Sequence, residues 1–373
     1  MDLNSRITPL PIRVFSVIRG SLPLLLSSPC LRVSVVILFL ALLSPSLANA
    51  EDRVVVQNAD SSTMRTLTGE IVDYNGKELR IQLATGQTLN VPAARVVSVE
   101  STWQAEHEAA DRLRDERKYT EAIDAYRQAL RKESRAWAKR RIMADAITAY
   151  ESLGQFERAG DAFALLMQAD EHWQYLERAP LPWLTSLMGA RLEQSAPSWL
   201  SSKLAPVQLL GASWSLSSEQ RTLAVNTLRK LSNHTDPRIA HLADAQLWRA
   251  NITTVGPQEL AAWEAQILRM PANLRGGPYL VLGRGWLQQN ARMLGNADVV
   301  QRRAVAAFMQ APVLHADRPQ LALQGLEQAA IVLEQLSWKD EATVVLRELA
   351  RDFANTDAGR AAAARLPRET TRP

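Results

Sequence analysis

Five histidines, His107, His172, His234, His241 and His315, are the first residues to test for chemistry. His234 and His241 are seven apart with Pro237 between them, and His241 precedes Asp244 by three on a helical stretch. Residues three apart share a helix face. Two ligands do not close a metal site, and no His-Glu-x-x-His motif occurs, so the pattern predicts no bound metal. Gly276-Gly277-Pro278 and Gly283-Arg284-Gly285 are glycine-rich. A dinucleotide loop needs a strand, then G-x-G-x-x-G, then a helix. Here the flanks are helical and the third glycine is missing. The pattern predicts two helix-end turns, with Pro278 opening a helix. There is no Gly-x-x-x-x-Gly-Lys loop and no Gly-x-Ser-x-Gly elbow. Asp115-Glu116 lies among mixed charges, as on a solvated helix face. No catalytic residue and no cofactor is expected.

The elements that must carry these residues begin with an address. The stretch Val33 to Leu43 is apolar, follows Arg32, and is broken by Ser44-Pro45-Ser46 before Ala48-Asn49-Ala50. A positive flank, a short apolar core and a small-x-small exit predict a secretory signal over residues 1–50, cut after Ala50. The run is too short for a membrane span, which needs about 20 apolar residues. Cys30, the one cysteine, falls inside this segment. The mature chain would then have no disulfide, thiolate metal site or cysteine nucleophile. The 373 residues are 47% hydrophobic and 22% charged, which excludes disordered, collagen-like and polytopic membrane classes. The formal charge of +4 owes most of its excess to Arg6, Arg13, Arg19 and Arg32.

Residues 51–101 read as short strands: Val54-Val55-Val56, Leu67 to Val72, Leu79 to Leu83, Leu89 to Val91 and Val96 to Val99. Leu79, Ile81 and Leu83 alternate with Arg80 and Gln82, the period of a half-buried strand. Asn75-Gly76 predicts one hairpin and Thr85-Gly86-Gln87 a second turn. So many short strands would expose an edge if flat, so they are expected to curl into a small barrel-like module. The module resembles an SH3-like or Sm-like barrel. RNA binding would need a basic, aromatic face, and Arg65, Lys77, Arg80, Arg95 and Tyr74 do not supply one. A docking role is expected, with no nucleic acid.

From Trp103 the apolar spacing becomes helical, and two stretches superpose at an offset of 37: Tyr119 on Phe156, Ala122 on Ala159, Tyr126 on Phe163, Leu130 on Met167. Gly154 fits the turn of the second unit, and Arg117 takes its place in the first. Near the end Ala342, Leu346 and Leu349 repeat the pattern, with Ser337 at the turn and Trp338 one residue early for Tyr119. Thr356 is a plausible N-cap for a last helix. These units resemble the tetratricopeptide repeat of bacterial cell-envelope proteins, whose unit is a helical hairpin of 34 residues. The expected fold is mainly α: a solenoid of such hairpins after the small β module. It divides into repeats at 102–179, diverged helical repeats at 180–316, and a C-terminal repeat with tail at 317–373.

In 180–316 the period is lost, but six to eight helices are expected. Asp236-Pro237 and Gly256-Pro257 mark starts, Ser217 with Gln220 suggests a capping box, and Ile239, Leu242, Ala243, Leu247 and Ala250 make one stripe. The ten tryptophans are expected to fill gaps between helix layers rather than to stack a ligand. Basic runs such as Lys139-Arg140-Arg141 sit beside acids and read as solvated helix ends.

The resemblance implies a concave groove lined by the first helix of each pair: Gln104, His107, Asp111 and Arg114, then Arg141, Ala144, Thr148 and Glu151. The function expected is an exported, non-catalytic scaffold that binds proteins or peptides of the cell envelope. The alternative is an envelope polysaccharide- or peptidoglycan-acting enzyme, or its accessory subunit, with a site around Trp248 to Trp286.

Overall fold

The structure is a computed structural model and describes residues 51–58, 63–184, 190–290 and 297–366. The expected signal segment, 1–50, lies outside the described residues. The chain from Glu51 onward forms one compact unit. It is mainly helical, with fourteen helices among the described residues and a five-stranded antiparallel sheet at its start. No described helix is long and apolar enough to cross a membrane.

The strands are β1 (Asp52–Gln57), β2 (Met64–Tyr74), β3 (Glu78–Leu83), β4 (Thr88–Pro92) and β5 (Val96–Glu100), in the order β4-β3-β2-β1-β5. Leu79 and Ile81 are buried and Arg80 and Gln82 exposed, as the alternation predicts. The edges β4 and β5 would lie about 19 Å apart in a flat sheet. They are joined by only a 3₁₀ turn, Ala93–Arg95, which spans roughly 8 Å. The sheet must therefore curl until its edges approach. Asn75-Gly76 and Thr85-Gly86 make the two hairpin turns, with Asn75 N–H donating to the Glu78 carbonyl at 3.0 Å. Gly76 is required for a different reason from the one its turn position suggests. A Cβ there would stand 2.1 Å from the His172 carbonyl oxygen.

The helices at 102–179 are α1 (Ala105–Asp115), α2 (Tyr119–Lys132), α3 (Ala136–Ser152) and α4 (Phe156–Ala169). They pair as α1–α2 and α3–α4, and the two turns are the same structure. Arg117 has φ 60° and Gly154 φ 68°. Lys118 N–H donates to the Leu113 carbonyl at 2.8 Å, and Gln155 N–H to the Tyr150 carbonyl at 2.9 Å. The C-terminal pair α12 (Pro319–Gln335) and α13 (Lys339–Asp352) repeats it. Ser337 has φ 60°, and Trp338 N–H reaches the Leu333 carbonyl at 3.0 Å. Trp338 is thus the helix cap, equivalent to Lys118, and Lys339 takes the place of Tyr119. That explains the one-residue mismatch seen in the sequence. Ala122, Tyr126 and Ala129 of the first pair, and Ala159 and Phe163 of the second, are fully buried between helices.

Between them run seven described helices: α5 (Ala190–Leu200), α6 (Ala205–Ser215), α7 (Arg221–Leu231), α8 (Pro237–Ala250), α9 (Pro257–Arg269), α10 (Gly276–Asn290) and α11 (Ala297–Leu314). One apolar core runs without a break from Ala110 to Val332. Trp183, Trp199, Trp214, Trp248, Trp263 and Trp286 are all inside it. Pro237 and Pro257 open helices as expected, and Asp236 accepts from Arg238 N–H. Thr356 caps α14 (Asp357–Arg365) by accepting from Gly359 N–H at 3.0 Å.

Three local expectations fail. Lys139-Arg140-Arg141 is not a solvated helix end, because it lies within α3 and Arg140 is buried. Ser217 caps nothing: α7 starts at Arg221, and it is Ser218 Oγ that accepts from Gln220 N–H. Gly283 and Gly285 are not at a turn but inside α10. There Gly283 lets Phe308 approach to where a Cβ would be 2.6 Å from its ring, and Gly285 makes room for Leu260. Close helix packing, not a bend, selects these glycines.

Candidate functional site

α3 is where three distant parts of the chain meet. Its N-terminal turns enter the sheet's core: Trp137 and Ala138 pack among Val54, Val56, Ile71, Leu79, Ile81 and Val91. Trp137 Nε1–H donates to the Ile71 carbonyl at 3.1 Å. Arg140 pairs with Asp73 and donates to the Tyr74 carbonyl at 2.9 Å. Its middle turns face α1. Its last turns receive a 3₁₀ turn (Leu176–Arg178) and the loop that opens α12.

The polar face of α1 follows helical spacing. His107, Asp111 and Arg114 are three to four residues apart and lie on one side. Opposite them stand Arg141 and Asp145, one turn apart on α3. Arg114 Nη1 is 3.0 Å from Asp111 Oδ1 and 3.3 Å from Asp145 Oδ1. Arg141 Nε donates to Asp145 Oδ2 at 2.7 Å. The Tyr126 hydroxyl donates to Asp111 Oδ1 at 2.7 Å. Burial works to raise the pKa of Asp145, but His107, Arg141 and Arg114 outweigh it and hold the carboxyl at about 2. Burial pushes the Tyr126 phenol up, and the Asp145 and Asp111 charges add to the shift. His107 is 1% exposed, and neither ring nitrogen makes a hydrogen bond. Its ring meets Trp103 edge-on with centroids 4.5 Å apart.

Further along α3, Thr148 accepts from Arg178 Nη1 at 3.3 Å. Arg178 Nη2 is 3.0 Å from Asp317. Glu151 holds a bidentate pair with Arg318 Nη2 at 3.1 and 3.2 Å, and Arg318 also donates to the Glu177 carbonyl. Burial raises the pKa of Glu151 even against Arg318. Across the first turn, Arg117 Nη2 is 3.7 Å from Asp352, and its guanidinium lies over the Phe353 ring. The last hairpin is therefore drawn back onto the first two.

This closure covers part of the groove lining that the resemblance implies. Glu151 is buried under the chain's own Arg318 and Ala144 is buried as well, while Thr148, bonded to Arg178, still lines the cleft that remains. Gln104 is exposed at the start of α1 and takes no part. Arg114 and Arg141 remain at the wall of a cleft of about 400 Å³, which Arg117, Tyr119, Asp145, Arg178, Asp317 and Pro319 also line. The intervening helices bring residues 316–319 to this wall, and no local pattern in those residues announces it.

The sequence reading missed Asp145, Arg117, Arg178 and Arg318. A signal for Asp145 was present, because it stands four residues beyond Arg141 and so shares its face. His107 with Asp111 carries the same i, i+4 spacing. Of the His241 and Asp244 pair, Asp244 is taken by Gln266, whose Nε2 donates to it at 2.7 Å. No family model, curated protein or solved structure matches the chain.

Proposed function

We propose that the chain is an exported, non-catalytic scaffold of the cell envelope that holds a segment of another protein in the cleft where the first, second and last hairpins converge. In this reading the hairpins are of the tetratricopeptide type, and the curled sheet is an SH3-like or Sm-like docking module. The repeated left-handed turn residue and its hydrogen bonds, found three times, support the repeat assignment. The observation that carries the function is the cationic wall of the cleft, to which Arg114, Arg117, Arg141 and Arg178 contribute. Arg141 spends Nε on Asp145, and its side chain is about half exposed. A peptide offers the matching acceptors, its backbone carbonyls and acidic side chains, while Tyr119 and Pro319 give apolar contact.

The test is photo-crosslinking in the native cell from a reactive side chain placed at Tyr119. Proteins captured by the chain carrying Arg117 and lost with Arg117→Glu support the reading. Equal capture by both, or none by either, removes it. Recovery of the chain in the cytoplasm alone removes the export part.

A further inference from the structure

We propose that His107, Asp111 and Asp145 form a divalent metal site. It is a separate matter from the scaffold reading. One ligand-bearing atom of each residue lies within 4.8 Å of the others. His107 Nε2 is 3.7 Å from Asp111 Oδ2 and 3.8 Å from Asp145 Oδ2. These gaps are too long for hydrogen bonds and close to what a shared ion needs. Bonds of about 2.0–2.1 Å in a tetrahedron put ligand atoms about 3.3 Å apart. A contraction of about 0.4 Å brings His107 to each carboxylate, and the two carboxylate oxygens, within 4.8 Å of each other, approach by up to about 1.5 Å.

The second and independent observation is the imidazole itself. His107 is buried, both nitrogens lack a hydrogen-bond partner, and Nε2 points between two carboxylates. A buried polar group left unpaired is costly, so an ion at that point satisfies what the protein leaves open. The charges agree. Arg114 and Arg141 balance Asp111 and Asp145, so the carboxylates stay ionised and able to ligate beside His107. The outer contacts are also those of a metal site. Tyr126 and Arg114 fix Asp111 through Oδ1 and leave Oδ2 free. Arg141 orients Asp145, whose ionised oxygens have lone pairs for both the guanidinium and a metal. Asp145 lines the 400 Å³ cleft, which supplies an entry path and an open fourth position. One nitrogen and two oxygen donors suit Zn²⁺, Co²⁺ or Mn²⁺ rather than a thiolate-seeking ion.

Equilibrium dialysis of the untagged full chain against Zn²⁺, Co²⁺ and Mn²⁺ tests this. The expected result is one tightly held ion per chain, a visible Co²⁺ spectrum, and a rise in Tm over chelator-treated protein. Asp111→Asn keeps an acceptor for Tyr126 and should weaken binding about 100-fold, at least as much as losing an outer contact. His107→Gln should do the same, and His234→Ala should change nothing. Folded native chain that takes up none of the three ions, with no Co²⁺ spectrum and no change in Tm, overturns the proposal. So does binding that survives Asp111→Asn and His107→Gln, or that is lost with His234→Ala. The native-chain spectrum and Tm decide the matter even where a variant fails to fold.

Discussion

The two ends of α3 hold their neighbours by different physics. At its N-terminal end Trp137 and Ala138 complete the core of the sheet, and one ion pair, Arg140 with Asp73, guards the edge of that apolar contact. At its C-terminal end the last hairpin is held by Glu151 with Arg318, and by Thr148 and Asp317 through Arg178. Apolar contact gains from every area removed from water, whereas a buried ion pair must first overcome the loss of hydration. The sheet thus gains more from its contact with α3 than the closure gains from its ion pairs, which sit beside an apolar core that α12 joins through Leu321, Ala329 and Val332.

The largest effect should come from the sheet side. Trp137→Ala removes a 3% exposed ring and leaves the Ile71 carbonyl without its donor, so it should cost about 4 kcal/mol by denaturant unfolding. A cost below about 1 kcal/mol would mean the sheet rides on the helices without sharing their core. Next comes the closure. Arg318→Met strands Glu151 as a buried, unpaired carboxylate and should cost about 3 kcal/mol, with faster amide exchange in the first turns of α12. The other half of the same pair should behave differently. Burial raises the Glu151 pKa, so its neutral form tolerates burial better than its charged one. Glu151→Gln leaves Arg318 with the Glu177 carbonyl and the new amide oxygen as acceptors, so it should cost less than Arg318→Met, about 1–2 kcal/mol at pH 7. It should also rescue most of the Arg318→Met loss in the double variant. Equal losses from both single changes would show that the pair, not the hydration of Glu151, governs the closure.

Proton linkage separates the two ends further. For Asp73, burial alone would raise the pKa, but Arg140 outweighs it and the value is lowered. Its contribution is present above the ordinary aspartate value of about 3.9 and disappears as pH falls through the depressed one. Asp73→Asn should cost about 2 kcal/mol at pH 7, as for a charged hydrogen bond, and nothing once the pH is below that point. For Glu151 the sign is opposite. Its contribution is complete below about 4.3 and is lost as pH rises through its raised value. Mild acid should therefore tighten the closure before strong acid loosens the sheet. Amide exchange in α12 and in β2, followed from pH 7 to pH 3, reads both.

Local physics was legible in the sequence, and long-range meetings were not. The alternation at Leu79 to Leu83, the 37-residue offset of Tyr119 and Phe156, and the proline helix starts each depend on neighbours a few residues away. Their elements stand where the patterns place them. Arg318 meeting Glu151, and Arg117 meeting Asp352, depend on how the described helices between them turn the chain. No short pattern encodes that sum of small angles. His107 and Asp111 lay between these cases. Their spacing was visible, but their chemistry needed Asp145 from the next hairpin.

The smallest effect tests whether the closing hairpin is a preformed body. Ser337 is exposed, and its φ of 60° is a left-handed position that costs a side-chain-bearing residue about 1–2 kcal/mol. Glycine relieves that strain but gives back about 0.5–1 kcal/mol of chain entropy. Ser337→Gly should therefore stabilise the protein by about 0.5–1 kcal/mol, read as a higher denaturant midpoint at unchanged slope. The substitution touches none of the groups that join α12 to α3. If the last hairpin folds by itself and then docks through its charges, amide exchange within α13 should slow while exchange at the Arg318 end of α12 stays as it was. Slowing at both places by the same factor would instead make hairpin and closure one cooperative unit, and the contrast between the two ends of α3 would then be one of chemistry alone.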